Sequence, residues 1–359
     1  MGYEVDFLPV GDGEKSGDAI VVRYGNLFGK REEQQIVVID GGFKASGDNI
    51  VEHIQSYFKT DKVDLVVSTH PDMDHSSGLT VVLENMDVSE LWMHQPWNHT
   101  KDIADLFKDG RITDNSVKEI LKRSLDDAHN LETIAKKKNI TIKEPFTGLR
   151  NSKQDLIVLG PSKEYYESLL VDFRGTPVQK EASFMGKAIE AAVDFAERVL
   201  ESWDIETLDD DGETSAENNS STIILLNQGA NNLLFTSDAG IPALTQVTNL
   251  LDANNFDYNS LWLVQVPHHG SKRNVGPTIL DKILGFRKTE DKFLRTSFVS
   301  VSKGSSDKHP SKKVTNAFRR RGAYVYKTNG KQIHHHNDAP DRKDWYAIEP
   351  IELFSEVED

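Results

Sequence analysis

The chain has 359 residues, of which 37% are hydrophobic, no cysteine, and a formal net charge of −15 from 42 basic and 57 acidic side chains. This length fits two average domains or one large α/β domain with insertions, and the hydrophobic fraction excludes a chain that is disordered throughout. The absence of cysteine excludes disulfides, thiolate metal sites and cysteine nucleophiles, while the net charge taken alone argues against a nucleic-acid partner.

Short apolar runs rich in β-branched residues predict strands in both halves of the chain, at residues 19–22, 36–39, 63–67, 222–226, 233–235, 261–266 and 298–301. A helical periodicity predicts helices at 185–200 and 314–321. The stretch between the two strand-rich parts is more helical and polar. We therefore expect a single α/β domain over residues 1–359, with a helical, acidic insertion at about residues 100–215.

Neither a membrane span nor a secretory signal is expected. No run of 18 apolar residues occurs in the sequence, and the first residues lack a basic stretch followed by an apolar one. The expected location of the protein is therefore cytoplasmic.

The charges are unevenly distributed along the chain. Residues 201–217 carry eight acidic side chains and no basic one, a pattern typical of a solvated loop. Residues 268–331 carry 16 basic against 4 acidic side chains, a local charge of +12. This basic segment is either a solvated face or the surface that a polyanionic substrate approaches.

The strongest chemical signal is the segment 68–78, Ser-Thr-His-Pro-Asp-Met-Asp-His-Ser-Ser-Gly, directly after a predicted strand. It places four potential metal ligands within six residues: His70, Asp72, Asp74 and His75. Imidazole nitrogens and carboxylate oxygens are ordinary ligands of Zn²⁺ and Mn²⁺. A turn at a strand end can direct neighbouring side chains to two different ions, so the segment predicts a two-metal cluster.

This segment resembles the metallo-β-lactamase signature H-x-H-x-D-H, with Asp72 at the place of the second histidine. In the form T-H-P-D-x-D-H-x-x-G it is similar to the nuclease-like domain of ComEC-type DNA-uptake proteins and their stand-alone relatives. Further blocks resemble the motifs of that group in the same order, at residues 10–20, 38–42, 234–238, 266–271, 308–310 and 327–330. Block 234–238 has Ser237 where the group usually has glycine.

The resemblance implies an αββα sandwich of two sheets, with two divalent ions, zinc or manganese, at one sheet edge. It implies His70 and Asp72 at the first ion, Asp74 and His75 at the second, Asp238 between them, and His268 or His269 completing the second site. Where the wider family has another histidine for the first site, this sequence has asparagine, and Asn218 or Asn219 would approach that ion. More oxygen and fewer nitrogen ligands favour a harder ion such as Mn²⁺, or leave the first site weak.

Further polar residues are candidates for catalysis. Asp74 or Asp238 would orient the attacking hydroxide, and His268, His269, His309 or Lys272 would stabilise the developing charge or protonate the leaving group. Asp40 is interpreted as an anchor for a metal-binding histidine. His94 and His99 either lie in a surface loop or replace the missing ligand, and the run 334–336 of three histidines is interpreted as native and solvated.

The leading hypothesis is a metal-dependent phosphodiesterase, most simply a nuclease that cleaves DNA or RNA with a metal-activated hydroxide, its substrate held through the basic segment 268–331. One alternative is hydrolysis of a small phosphoester of the cyclic-nucleotide or phosphocholine type. The other is a non-catalytic regulatory module with a degenerate metal site. A free-standing hydrolase of this group could also act with partner proteins of a multi-gene, defence-type system.

Overall fold

The structure is a computed structural model that describes residues 1–11, 13–179, 198–305, 309–343 and 345–358. In chain order its strands are β1 (Gly2–Phe7), β2 (Ala19–Gly25), β3 (Gln34–Gly41), β4 (Lys62–Val63), β5 (Leu65–Ser68), β6 (Asp87–Val88), β7 (Glu90–Met93), β8 (Thr141–Lys143), β9 (Leu156–Gly160), β10 (Arg198–Leu200), β11 (Ile223–Leu226), β12 (Asn232–Phe235), β13 (Leu261–Gln265), β14 (Arg295–Val299), β15 (Ala323–Lys327), β16 (Ile333–Asn337) and β17 (Glu356–Glu358).

The α-helices of the described residues are α1 (Lys44–His53), α2 (Met73–Asn85), α3 (Asp114–Ser124), α4 (Asp126–Lys138), α5 (Lys163–Leu169), α6 (Ala216–Asn219), α7 (Ile241–Ala253), α8 (Pro277–Leu284) and α9 (Lys312–Arg320). The predicted helix 314–321 corresponds to α9. The predicted helix 185–200 lies outside the described residues except for its last three, and these form β10 instead.

Two large sheets form the centre of the fold. The first has seven strands in the order β16-β1-β2-β3-β5-β7-β8, and the second has six in the order β15-β14-β13-β12-β11-β9. Strands β3, β5, β7 and β8 run parallel to one another, as do β12 to β15, whereas β2 and β3, and likewise β11 and β12, are antiparallel. Parallel neighbours place the ends of successive strands at the same sheet edge, where the loops that follow them meet.

Three apolar layers show that the helices lie outside the paired sheets. Between the sheets, side chains such as Val22 and Ile39 pack against Ile224 and Phe235. The outer face of the first sheet packs against α1, α2 and α4, and that of the second sheet against α7, α8 and α9. The arrangement is a four-layer αββα sandwich, and the predicted fold class is confirmed.

The interval 100–215, expected to be an insertion, is divided between the sandwich and a separate unit. It supplies β8 to the first sheet, β9 to the second, and α4 to the outer helical layer. A smaller apolar cluster of its own lies around Phe107, Leu121, Tyr166 and Phe173. We call the residues of this cluster and the turns beside it, 101–125 and 163–179, the helical annex.

The acidic and basic stretches of the sequence pack against each other. Glu201 forms a fully buried ion pair with Arg320, with Nη2 and Oε2 2.8 Å apart. Glu206 accepts from Arg321 at 3.0 Å, and Asp210 accepts from Thr278 at the start of α8. The prediction of a solvated acidic loop is therefore wrong for Glu201 and Glu206, whereas Asp210 is exposed. Part of the +12 of segment 268–331 is neutralised inside the fold.

Strand β1 carries charges that find partners far away in the sequence. Its alternate residues Tyr3, Val5 and Phe7 face the second sheet. Asp6 faces the other way and is fully buried, where it accepts from His334 at 2.9 Å and from both terminal nitrogens of Arg342 at 2.7 and 2.8 Å.

The three histidines at 334–336 belong to an edge strand. They lie on β16, which pairs with β1, and the ring of His335 stacks on Tyr3 at 5.6 Å. The prediction that this run is solvated is wrong for His334 and His335. Among the described residues, no helix is both long and apolar enough to cross a bilayer.

Candidate metal centre

Three segments that follow strands bring the predicted ligands together at one edge of the sandwich. His70 and His75 come after β5, from the first sheet, and Asp238 follows β12 in the second sheet. The pair His268 and His269 follows β13. The centre therefore lies between the two sheets and needs both halves of the chain.

Asp238 lies at the middle of this group. Its Oδ2 is 3.4 Å from His75 Nε2, 3.6 Å from His268 Nε2, 3.8 Å from His70 Nε2 and 4.0 Å from His269 Nε2. These separations are too long for hydrogen bonds. They match two atoms bound to one ion, because ligands about 2.0–2.1 Å from a tetrahedral ion lie roughly 3.4 Å apart.

Several buried polar atoms at the centre have no hydrogen-bond partner among the described residues. They are Nε2 of His70, His75 and His269 and Oδ1 of Asp238. A buried donor or acceptor without a partner costs about 1–3 kcal/mol, so several at one point indicate a bound group that satisfies them. A metal ion fits, since each atom presents a lone pair to the same space.

The opposite ring nitrogens are held by the protein. His75 Nδ1 lies 2.8 Å from Asp40 Oδ2, His269 Nδ1 lies 3.0 Å from the carbonyl of Ser300, and His268 Nδ1 lies 2.9 Å from Asn274 Oδ1. An oxygen acceptor fixes the proton on Nδ1 and leaves the Nε2 lone pair free. This local geometry directs the Nε2 atoms towards the place where a metal would bind.

The side chains divide into two ligand groups. Asp74, His75 and His269 offer atoms within 4.8 Å of one another. On the other side, His70 Nε2 lies 3.6 Å from Asp72 Oδ2. Of the two histidines considered for the second site, His269 is the one that meets Asp74, with Nε2 and Oδ2 3.9 Å apart. His269, which the sequence offered both for the second site and for catalysis, therefore lies among the candidate ligands.

The placement of His268 and Asn218 differs from that expectation. His268 reaches Asp238 from the side of the centre that is more open to solvent, with 30% of its side chain exposed. The amide nitrogen of Asn218 donates to Thr214 Oγ1 at 2.8 Å and lies 3.2 Å from His268 Nδ1. Because Nδ1 donates to Asn274, Asn218 only packs beside His268.

Asp40 contacts the ring of His75, as expected for the anchor of a metal-binding histidine. Fully buried, it accepts from Thr69 N at 2.8 Å, from Thr69 Oγ1 at 2.6 Å and from His75. Its φ is +55°, and Ser237, which takes the place of a glycine usual in the resembled group, has φ +47°. The left-handed backbone at position 237 explains why the resembled group usually has glycine there. In this chain the hydroxyl of Ser237 contacts Thr69 Oγ1 at 2.6 Å.

The glycine that ends the segment 68–78 has a steric reason. A Cβ on Gly78 would lie 1.9 Å from the carbonyl oxygen of Gly41. Helix α2 therefore presses directly against the end of β3, and this contact brings His75 to Asp40. A larger residue at position 78 would separate the two.

The electrostatics of the centre keep the central carboxylate, Asp238, charged. Asp238 is buried, which raises its pKa, yet His268, His75 and His269 hold that pKa well below the usual range. Burial likewise opposes protonation of His75, but Asp238 and Asp40 raise the pKa of His75 well above its usual value. Burial lowers the pKa of His269 to about 3. The protein thus places strong negative charge where cations would bind.

Two residues at the centre were not found from the sequence. Asp18 is buried beside His75 and His269, with carboxylate-to-Nδ1 distances of 3.9 and 4.0 Å, and its burial raises its pKa to about 7. Arg174, from the helical annex, donates from Nη2 to Asp72 Oδ1. Asp18 stood within a block already matched to the resembled group, but a lone arginine outside every block gave no signal.

The remaining candidates lie around the centre. The ring of His309 lies nearly parallel to that of His268, with centroids 6.4 Å apart, and Lys272 is half-buried just after the histidine pair. His94 is buried against Tyr166, and its burial lowers its pKa to about 3. His99 lies 2.9 Å from carboxylate oxygens of Glu144 and Glu167 in the annex region. Neither His94 nor His99 belongs to the ligand groups found among the described residues.

A comparison with known protein families matches the part of the chain that carries the first ligands of the centre. Residues 14–136 match the sequence model of the Metallo-beta-lactamase superfamily. That range includes the segment 68–78 and Asp40. The chain therefore contains a metallo-β-lactamase superfamily domain, as the motif predicted. The nearer relationship to the ComEC-type group stays a prediction.

Similar solved structures share little sequence with this chain. A Thermotoga maritima protein assigned to the metallo-beta-lactamases is 11% identical, with 71% of this chain and 92% of that one covered and a TM-score of 0.37. A diphosphatase of the PhnP family is 12% identical, with 94% and 99% covered and a TM-score of 0.35. The β-hydroxylase CmlA is 11% identical, with 93% and 54% covered and a TM-score of 0.42. No curated protein matches the chain.

Proposed function

We propose that the protein is a metal-dependent phosphodiesterase, and in the first place a nuclease that acts on DNA or RNA. The observation that carries the proposal is the convergence of four imidazole Nε2 atoms on Asp238 Oδ2 within 4.0 Å. Three of those nitrogens are buried without a hydrogen-bond partner among the described residues. Imidazole and carboxylate donors in this number fit two zinc or manganese ions.

The chemistry would follow from the way these residues are arranged. Two divalent ions bound there would activate a water molecule and stabilise the charge that develops on phosphoryl oxygens. Asp74 lies at the open side, with 31% of its side chain exposed, where it can orient the attacking water. His309 and Lys272 lie next to the histidine pair, where a proton or a positive charge would serve the leaving group.

The distribution of charge supports a second candidate substrate. Arg320 and Arg321 of the basic segment are buried against Glu201 and Glu206, and Lys282 pairs with Asp252. The two buried arginines cannot contact a polymer backbone, and the exposed Lys282 already has an anionic partner. A small phosphoester needs only the cations at the mouth of the centre, so this neutralisation favours it over a long nucleic acid.

The test compares polymer and small-molecule cleavage by one preparation. Purified protein loaded with Mn²⁺ or Zn²⁺ is incubated with single- and double-stranded DNA and RNA and with bis(p-nitrophenyl) phosphate. Asp238→Asn keeps the size of the side chain but removes the charge shared by the four histidines, and should abolish turnover. Asp48→Asn, on the exposed face of α1, is the matched control and should behave like the unchanged protein.

Each outcome selects one reading. Cleavage of nucleic acid that Asp238→Asn abolishes supports the nuclease, whereas turnover of the small ester alone supports the second candidate. Failure to bind two equivalents of metal, together with no turnover of any substrate, would contradict the proposal and leave the non-catalytic module.

A further inference from the structure

We propose that Arg174, carried by the helical annex, binds the phosphoryl oxygens of the substrate beside the first metal site. The inference rests on the proposed phosphodiesterase function and assigns one residue of its substrate contact. It starts from the contact between Arg174 Nη2 and Asp72 Oδ1, which joins the annex to the carboxylate that replaces a family histidine.

The backbone holds Arg174 in a defined position. The amide of Thr176 donates to the carbonyl of Phe173 at 3.1 Å, closing a four-residue turn in which Arg174 is the second residue. Gly175 has a φ of +81°, as the third residue of a type II turn requires. Phe173 is buried in the annex core and fixes one end of the turn.

Glu217 holds the base of the same side chain. Its Oε1 accepts from the backbone nitrogen of Arg174 at 2.6 Å and lies 3.6 Å from Nε. With Asp72 at the tip and Glu217 at the base, the guanidinium loses little conformational freedom when it meets a ligand. Even so, 46% of the Arg174 side chain is exposed, so the group is fixed without being enclosed.

The centre opens to solvent on the side of Arg174. His70, His75 and Asp238 are almost completely buried, whereas 25% of the Asp72 side chain and 31% of the Asp74 side chain are exposed. The open side of the centre therefore includes Asp72 together with Asp74 and His268. Arg174 lies at that open side and is a planar, permanently charged group suited to two phosphoryl oxygens at once.

The charge of the centre also calls for one more cation. The carboxylates of Asp72, Asp74 and Asp238 offset three of the four positive charges of two divalent ions. A phosphodiester brings one negative charge and gains a second as the attacking oxygen adds to phosphorus. Arg174 supplies the charge that the metals leave uncovered, at the point where it develops.

The test measures phosphate binding as well as turnover. Protein loaded with Mn²⁺ is titrated with inorganic phosphate by calorimetry, and its kcat and KM for bis(p-nitrophenyl) phosphate are determined. Loss of a charged, bidentate contact predicts that Arg174→Ala binds phosphate about 10- to 100-fold more weakly and raises KM by a similar factor. Arg174→Lys should recover part of the binding, since the charge remains and the fork is lost.

Arg111→Ala is the matched control. Arg111 also lies in the annex, where it forms an exposed ion pair with Asp109, and its removal should leave phosphate binding unchanged. Bound manganese is measured for every variant, and Arg174→Ala should retain as much of it as the unchanged protein. Circular dichroism and thermal melting show whether the annex stays folded.

The result separates this inference from the proposed function. If the unchanged protein cleaves the ester while Arg174→Ala matches it in phosphate affinity and KM within threefold, the role of Arg174 is refuted and the phosphodiesterase stands. If Arg174→Ala changes only the manganese content, then Arg174 acts only by competing with the metal for Asp72. That result also refutes the inference. If the unchanged protein neither binds phosphate nor cleaves the ester or any nucleic acid, both proposals fail together.

Discussion

Replacement of Asp40 by asparagine isolates the contribution of a residue that touches no substrate. In the structure Asp40 Oδ1 accepts from Thr69 N at 2.8 Å, while Oδ2 accepts from Thr69 Oγ1 and His75 Nδ1 at 2.6 and 2.8 Å. In Asp40→Asn the amide oxygen keeps the bond to the backbone, and the amide nitrogen takes the place of Oδ2. It then faces His75 Nδ1 as a donor.

That exchange moves the imidazole proton of His75 from Nδ1 to Nε2. The hydroxyl of Thr69 can rotate to accept from the new amide, but His75 can accept only if Nδ1 is bare and Nε2 carries the proton. Nε2 is the atom that faces Asp238 Oδ2 at 3.4 Å. To bind metal through Nε2, His75 of the variant must carry its proton on Nδ1 without the charge-assisted bond to Asp40, so we expect metal affinity to fall about 10- to 100-fold, or roughly 1.4–2.7 kcal/mol.

The fold should survive the change. Asparagine tolerates left-handed backbone well, so the φ of +55° at position 40 is retained without new strain. We expect one of the two ions to be released at lower chelator concentration in Asp40→Asn, measured by competition with a chromophoric chelator, with little change in melting temperature. Asp48→Asn serves as the control. Unchanged affinity for both ions would refute the assignment of Asp40 as the group that fixes the His75 tautomer.

Three further predictions concern metal choice and stability. Asp72→His restores a nitrogen ligand and should raise the Zn²⁺ to Mn²⁺ ratio bound from an equimolar mixture, measured by mass spectrometry of the metals. Glu201→Ala leaves the buried guanidinium of Arg320 unpaired and should destabilise the fold by about 3–5 kcal/mol in urea unfolding. Arg342→Ala leaves the buried carboxylate of Asp6 without its arginine partner. The free energy of unfolding should fall by about 3 kcal/mol, and by no more because two histidines still contact that carboxylate.

The Arg342 variant also has a pH signature. Burial disfavours the charged form of Asp6, yet His53 and His334 hold its pKa well below the usual value. A depressed pKa contributes stability above the unfolded-state value, and this contribution is lost as the pH falls. Removal of Arg342 should raise the Asp6 pKa and move acid unfolding to higher pH, followed by tryptophan fluorescence.

The stability predictions share a control and can each be contradicted. Asp109→Ala breaks an exposed pair with Arg111 and should leave unfolding unchanged. A similar urea midpoint for Glu201→Ala and Asp109→Ala would show that the Glu201 pair is not desolvated. For Asp72→His, a metal ratio equal to that of the unchanged protein would remove Asp72 from the first site.

The parts of the fold that the sequence predicts are those governed by local pattern. Residues 36–39 and 261–265 form strands because runs of β-branched residues pack well in a buried sheet. The segment 68–78 predicts metal binding because it has four potential ligands within six residues. Strand β1 was not predicted because polar residues such as Asp6 alternate with its apolar ones, so it contains no continuous apolar run. The partner of Asp6, Arg342, lies 336 residues away in the sequence. No local signal carries such a contact.

The candidate site shows the same division. The sequence supplied His70, His75 and Asp238, but it could not decide between His268 and His269 for the second site. Both have left-handed backbone, φ +45° and +54°, and the carbonyl of Ser300 turns the ring of His269 towards Asp74. Those choices depend on loops from separate strands, so they appear only when the sheets are assembled.

The pairing of the acidic stretch with the basic segment also determines how binding would respond to salt. A cation that is already paired with a carboxylate, as Arg320 is with Glu201, releases no counterions when a polyanion arrives. The slope of log affinity against log salt counts only phosphates neutralised on binding, about −0.9 for each contact with duplex DNA. A nucleic acid held at this centre should therefore show a shallow salt dependence, with a slope far smaller than the +12 of the segment suggests.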